Sequence, residues 1–336
     1  MSYVPELLAE RRAILRAGLD LAALNGLEIA PLAWPTVRRD EGRIRYIDHF
    51  DTQTLRARYR DDPNVPTEDI VPVDALWGEQ TLAECLGGET VDYIIASHVG
   101  EHVPDLVTWL AECDAVLAPG GELRLVLPDR RFSPDALRRD TNLTDVLAAH
   151  LLRARRPQVR EVLDFMLHDA PAIDRTRLYR GTFDLGTLRP RWTVEQALSF
   201  ARRVRDVPDH YEDVHCWAFT PRSFARLMRT LAGNGLTRFA CSDFRDSRDP
   251  WFEFFVFLRA TDDREAAADS WRRMEQAAAD PLPGSGEAAA TDAEQERIAR
   301  LERDLAEART RIAAMEASTS WRVTAPLRAL ARRRTG

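Results

Sequence analysis

The sequence predicts an α/β fold built on a mostly parallel sheet, and three observations carry that expectation. Residues 91–129, VDYIIASHVGEHVPDLVTWLAECDAVLAPGGELRLVLPD, read as strand, loop, helix, turn and strand, which is one βαβ unit. The apolar runs before and within this unit end in polar residues, namely Asp48, Asp74, Ser97-His98 and Asp129. Two further strand-like runs, 236–243 and 251–258, follow a helical stretch, and the second is strongly aromatic, which suits a closing antiparallel pair.

Each element has its own signal. Pro5 to about Leu24 reads as an amphipathic helix that packs on the sheet through Leu7, Leu8, Ile14, Leu15 and Leu19. Strands are expected at 27–30, 43–48, 69–74, 91–96 and 122–127. The run 91–96 lacks regular polar alternation, as a strand covered on both faces should. Pro104 fits the first turn of a helix, Leu106, Leu110, Cys113 and Leu117 follow at helical spacing, and Pro119-Gly120-Gly121 stops it. About a dozen residues separate the first two runs, too few for a crossover helix.

From residue 130 to 217 the pattern turns helical, with segments at 142–156, 158–170 and 193–204, the last opened by the capping-box signature Thr193-x-x-Gln196. This insertion reads either as a substrate-selecting element or as a brace. Thr220-Pro221 starts another helix that ends near Gly233 to Gly235. Beyond residue 260 the composition shifts to Ala, Glu, Asp and Arg. The expected division is a domain over 1–260, a linker over 261–293 containing P-L-P-G-S-G, a coiled coil over 294–317 and a basic tail over 318–336. Ile298, Leu301, Leu305, Ala308, Ile312 and Met315 alternate by three and four, so self-pairing or a coiled-coil partner is expected.

Of the 336 residues, 45% are apolar and 30% charged, the balance of a soluble protein. With no apolar run long enough to span a bilayer and no basic-then-apolar leader, the expected location is the cytoplasm. The four cysteines are far apart and contain no C-x-x-C pair, which gives no disulfide framework and no zinc knuckle. All 47 basic residues are arginine, so Schiff-base and lysine general-base mechanisms are excluded. The net charge of −7 gives no ground for a nucleic-acid partner. Residues 321–336 hold five arginines and no acid, a tail suited either to an anionic membrane surface or to solvent.

The loop S-H-V-x-E-H-V-P-D at Ser97–Asp105, then a helix and L-A-P-G-G-E-L-R-L, resembles class I S-adenosylmethionine-dependent methyltransferases of the type 11-like kind. P-D-R-R-F at Pro128–Phe132, with Asp135, Arg138, Thr141 and His150, is similar to a bacterial subgroup associated with cell-surface glycan assembly. The likeness covers roughly residues 25–260. It implies a Rossmann-like, seven-stranded, mostly parallel sheet with a helical insertion and a C-terminal coiled-coil helix. It also implies S-adenosyl-L-methionine as cofactor and a hydroxyl of a glycan or lipid-linked sugar as acceptor. The alternative is a catalytically inactive methyltransferase-like scaffold in a glycan-assembly complex.

The same resemblance assigns roles. Glu28 begins the cofactor motif, but Ala30, Leu32 and Trp34 replace the glycines of E-x-G-x-G-x-G, and Pro31 removes a donor. Asp48 falls where the family places the acid that binds the ribose hydroxyls, and Asp74 where a side chain meets the adenine amino group. Ser97 and His98 face the methyl-donor region. Candidate catalytic residues are His98, Asp129, Arg131 and His215, within a polar set that includes Asp135, Arg139 and His150. A histidine near a hydroxyl is suited to act as general base. His98–His102 also spells H-x-x-E-H, the inverted zinc-protease motif. That motif needs a helix, whereas Gly100 and Pro104 make this segment a loop, so no metal is expected.

Overall fold

Along β4 (Val91–Ser97) successive side chains enter opposite cores, with Ile94 and Ala96 in one and Tyr93 and Ile95 in the other. That alternation follows from the period of two in an extended chain and explains why the run is apolar throughout. The computed structural model describes residues 5–279. The other strands are β1 (Asn25–Ile29), β2 (Arg43–Asp48), β3 (Ala75–Leu76), β5 (Leu117–Pro128), β6 (Phe239–Arg245) and β7 (Glu253–Ala260). They form one seven-stranded Rossmann-like sheet in the order β3-β2-β1-β4-β5-β7-β6. All pairings are parallel except those of β7, which runs antiparallel to both β5 and β6. The chain builds outward from β1 to β3 and then returns to β4 beside β1. Ligands in such sheets bind outside the carboxyl ends of the strands at that reversal.

The helices are α1 (Pro5–Arg16), α2 (Thr52–Arg58), α3 (Leu82–Cys85), α4 (Leu106–Val116), α5 (Leu143–Leu152), α6 (Val159–His168), α7 (Arg175–Tyr179), α8 (Val194–Asp206), α9 (Pro221–Gly233) and α10 (Arg264–Ala277). Leu15 of α1, with Ile14 and Leu7, covers the sheet face formed by Tyr46, Tyr93, Val126 and Phe255. Apolar residues of α4, α9 and α10 cover the other face. Helices α6 and α8 close a small separate core around Val162, Met166, Ala197 and Val214. Gly26 in β1 lies so near the Tyr93 ring that a Cβ there would come within 2.2 Å of it, which explains the glycine in an otherwise apolar strand.

Several boundaries differ from those read in the sequence. Helix α1 ends at Arg16 rather than near Leu24, because Gly18 takes a left-handed conformation (φ 75°). The third strand is Ala75–Leu76, not 69–74; Asp69 belongs to a short 3-10 turn, and only Ala75 and Leu76 reach the register of β2. Helix α4 begins after Asp105, whose carboxylate caps Thr108 N at 3.0 Å, with Pro104 just outside. Residues 264–277, expected within a linker, form α10, and buried Trp271 and Met274 join the main core. Ser270 Oγ accepts from Cys241 N at 2.9 Å and Trp271 Nε1 donates to Phe239 O at 2.8 Å, fastening α10 to β6. The expected coiled coil and basic tail lie outside the described residues. Among the described residues no helix is long and apolar enough to cross a membrane.

Candidate active site

The connection after β1 keeps the path of a glycine loop without the glycines. Ala30 and Leu32 stand at φ 51° and 48°. A Cβ makes such backbone cost about 1–2 kcal/mol per residue. Glu28 supplies the counterweight: its buried carboxylate accepts from Thr36 N at 2.7 and 2.9 Å and from Val37 N at 3.3 Å. Hydrogen bonds to a charged acceptor contribute about 1.5–3 kcal/mol each, enough to offset the strained residues. Burial nevertheless raises the Glu28 pKa to about 7 against the pull of the Thr36 amide. Glu28 is thereby engaged in holding the loop.

A cleft of about 660 Å³ opens at the carboxyl ends of β1, β2 and β4. Glu28, Ala30, Asp48, Ser97 and His98 all line it. Asp48, at the end of β2, is 6% exposed, and its Oδ1 accepts from Phe50 N at 3.3 Å. Burial lifts its pKa to about 6, opposed by the amides of Phe50 and His49, with Asp213 adding to the rise. Ser97 Oγ and Trp77 Nε1 also line the cleft, and both are buried without a hydrogen-bond partner among the described residues. A ligand rich in hydroxyls and ring nitrogens suits such a set. The residues therefore fit S-adenosylmethionine: Asp48 offers a carboxylate acceptor, and Ser97 Oγ and Trp77 Nε1 are polar atoms open to a ligand.

His98 ends β4 in a left-handed conformation, φ 53°, between two buried acids. Its Nε2 is 2.5 Å from Glu253 Oε2 and its Nδ1 3.2 Å from Glu101 Oε1. Burial works against its charge, but these two carboxylates win and raise its pKa to about 10. At neutral pH it is a cation and a hydrogen-bond donor, not a base.

Other residues picked from sequence sit elsewhere. Asp74 does not line the cleft: Oδ2 accepts from Tyr46 N at 2.8 Å and Oδ1 pairs with Arg39 Nη2 at 2.7 Å, because the chain turns into β3 only after it. Trp77 and Gly78, just past β3, occupy the cleft instead. Asp129 is fully buried and grips Arg131, with Nη2 at 2.6 Å and Nε at 3.0 Å, so each neutralises the other away from the cleft. His215 is likewise absent from the cleft wall and pairs with Asp135 at 2.6 Å. Sequence reasoning missed Trp77, Tyr211 and Asp213. His49 stacks on Tyr211 with ring centroids 4.1 Å apart beside the cleft, and aromatic residues flanking the Asp48 strand end were the available signal.

The part of the chain that builds this cleft is similar to a known family. A family model described as a methyltransferase domain matches residues 19–125. No curated protein sequence matches the chain. Among solved structures it is similar to the CcbJ methyltransferase of Streptomyces caelestis, at 13% identity over 77% of this chain and 97% of that one, with a TM-score of 0.39. An S-adenosylmethionine-dependent methyltransferase of Clostridium acetobutylicum aligns at 8% identity over 75% and 89%, TM-score 0.38. The N-methyltransferase NodS of Bradyrhizobium japonicum aligns at 14% over 77% and 98%, TM-score 0.34. Likenesses this distant say nothing of substrate or mechanism.

Proposed function

We propose that the protein transfers the methyl group of S-adenosylmethionine to a hydroxyl of a glycan or lipid-linked sugar. The observation that carries the reading is Asp48. It is a nearly buried carboxylate at the end of β2, in the cleft that spans the sheet's reversal between β1 and β4, where Ser97 Oγ and Trp77 Nε1 have no hydrogen-bond partner among the described residues. When bound, the cofactor supplies a methyl group on a positively charged sulfur, already a reactive donor. The chain's own work is alignment. Asp48 anchors the ribose end, the Ala30–Leu32 backbone shapes the turn beside it, and cationic His98 hydrogen-bonds at the mouth of β4. The sugar acceptor rests on the sequence resemblance alone; assembly through the coiled coil rests on the three-and-four spacing from Ile298 to Met315, and contact of the basic tail with the inner face of a membrane on its five arginines.

Titration calorimetry of the full chain with S-adenosylmethionine and S-adenosylhomocysteine tests the cofactor. Saturable binding of both is expected, followed by mass gain of one methyl group on a sugar acceptor in the presence of S-adenosylmethionine. No binding of either ligand in the presence of acceptor glycans would leave a scaffold without catalysis as the better account.

A further inference from the structure

The loop after β4 and the segment before α9 are laced together. Trp217 N donates to Glu101 O at 3.1 Å, and Trp217 Nε1 donates to Val103 O at 2.6 Å. This brings Glu101, His102 and His215 together, with one ligand-capable atom from each within 4.8 Å of the others. Glu101 is 0% exposed, and neither carboxylate oxygen has a hydrogen-bond partner among the described residues; its nearest cation is the His98 ring. Each of the two histidines carries an aspartate on Nδ1. Asp213 lies 2.9 Å from His102 and Asp135 lies 2.6 Å from His215. Asp135 is held in turn by Arg138 at 2.9 Å. That leaves Nε2 of each ring for another partner.

The geometry points to a binding site for a divalent transition metal of the zinc class, with Glu101, His102 and His215 as ligands. Two imidazoles and one carboxylate are the donor set of open zinc sites, and a carboxylate behind each ligating imidazole fixes its tautomer and orientation. The H-x-x-E-H run contributes only its second half. His98 turns to Glu253 instead, and the missing nitrogen comes from His215. Of the three, His102 lines the cleft, so a metal held here would lie beside it. An acceptor oxygen bound there would become more acidic. That role rests on the methyl-transfer reading; the site itself does not.

The test uses the full-length protein stripped with chelator and titrated with Zn2+ alone, without cofactor. One equivalent should bind. His102→Gln and His215→Gln should each lower affinity by more than about 100-fold, beyond the 10- to 100-fold expected for Asp135→Asn as a supporting change. His168→Gln, at the last residue of α6 with a partly exposed side chain, should have no effect. Co2+ loading of the unaltered protein should give the intense visible absorption of a four-coordinate site, a readout independent of how any variant folds. Absence of Zn2+ uptake, uptake unaffected by both histidine variants, or a Co2+ spectrum of the weak octahedral type would overturn the proposal. Loss of S-adenosylmethionine binding in the separate calorimetry would leave it standing, so the two readings fail independently.

Discussion

Two strands of the sheet end in an aspartate, and the two ends serve different purposes. Asp48 closes β2, one strand from the point where strand order reverses; it lines the cleft and accepts one long hydrogen bond from a neighbouring amide. Asp129 directly follows β5, one strand from the reversal on its other side. There the amides of Asp129 and Arg130 are taken by Phe252 O and Phe219 O, and its carboxylate is filled by Arg131. An acid at a strand end is thus a ligand group only where no neighbouring element occupies the crevice. Elsewhere the same residue stitches the fold together.

The contrast is sharpest in stability. Asp129→Ala leaves the Arg131 guanidinium buried without its closest carboxylate, and removing one member of a buried pair costs about 3–5 kcal/mol. Urea unfolding should show that loss, and a variant as stable as the parent would erase the distinction. Asp48→Asn should instead stabilise the fold at neutral pH, by up to about 2–3 kcal/mol through loss of a buried charge, and weaken S-adenosylmethionine binding by roughly 10- to 100-fold. That is the share of a charged acceptor worth about 1.5–3 kcal/mol. Undiminished affinity in calorimetry would remove Asp48 from the site.

The same acid predicts opposite pH trends for binding and stability. Its pKa, near 3.8 when unfolded, is raised to about 6 by burial, with Asp213 adding and Arg58 opposing. The folded state therefore holds the proton more tightly, and the contribution to stability falls as pH rises from about 4 to about 6, by on the order of 2–3 kcal/mol. A ligand that uses the carboxylate gains over the same window: affinity should be full above about pH 6 and drop up to tenfold per unit below it. In Asp48→Asn that pH dependence should be absent. The smallest effect belongs to the strained loop. Ala30→Gly relieves a left-handed alanine but frees the unfolded chain, so stability should move by less than about 1 kcal/mol and cofactor affinity by less than about threefold. A larger affinity change would mean that the alanine methyl group itself shapes the pocket.

The sheet was legible because its signals are local. Six of the seven apolar runs, the short first connection and the aromatic closing strands each follow from periodicity or chain length. The strand ends at Asp48 and Ser97-His98 were legible for the same reason. Asp74 misled because three residues decide whether an acid precedes or follows a two-residue strand, and apolar pattern does not resolve that distance. Positive φ at Ala30 and Leu32 was invisible, since residue type argues against it and long-range bonds sustain it, from Ala30 N to Ile47 O, from Val71 N to Leu32 O and from Thr36 N to Glu28. The meeting of His102 with His215 was equally hidden. Nothing in either segment announces the other; the lacing through Trp217 brings them together.

The fastening of α10 to β6 bears on how this domain is cut and kept soluble. Strand β6 is the outermost strand on its side of the sheet, and an uncovered outermost strand is a template for strand addition by a second chain. Ser270 and Trp271 occupy the amide of Cys241 and the carbonyl of Phe239 that such a chain would seek. A truncation placed at residue 260, where composition changes, would therefore strip a guard from the sheet and invite edge-to-edge association. One placed after Ala279 keeps the guard, so any oligomer that this shorter chain loses can be assigned to the residues beyond it.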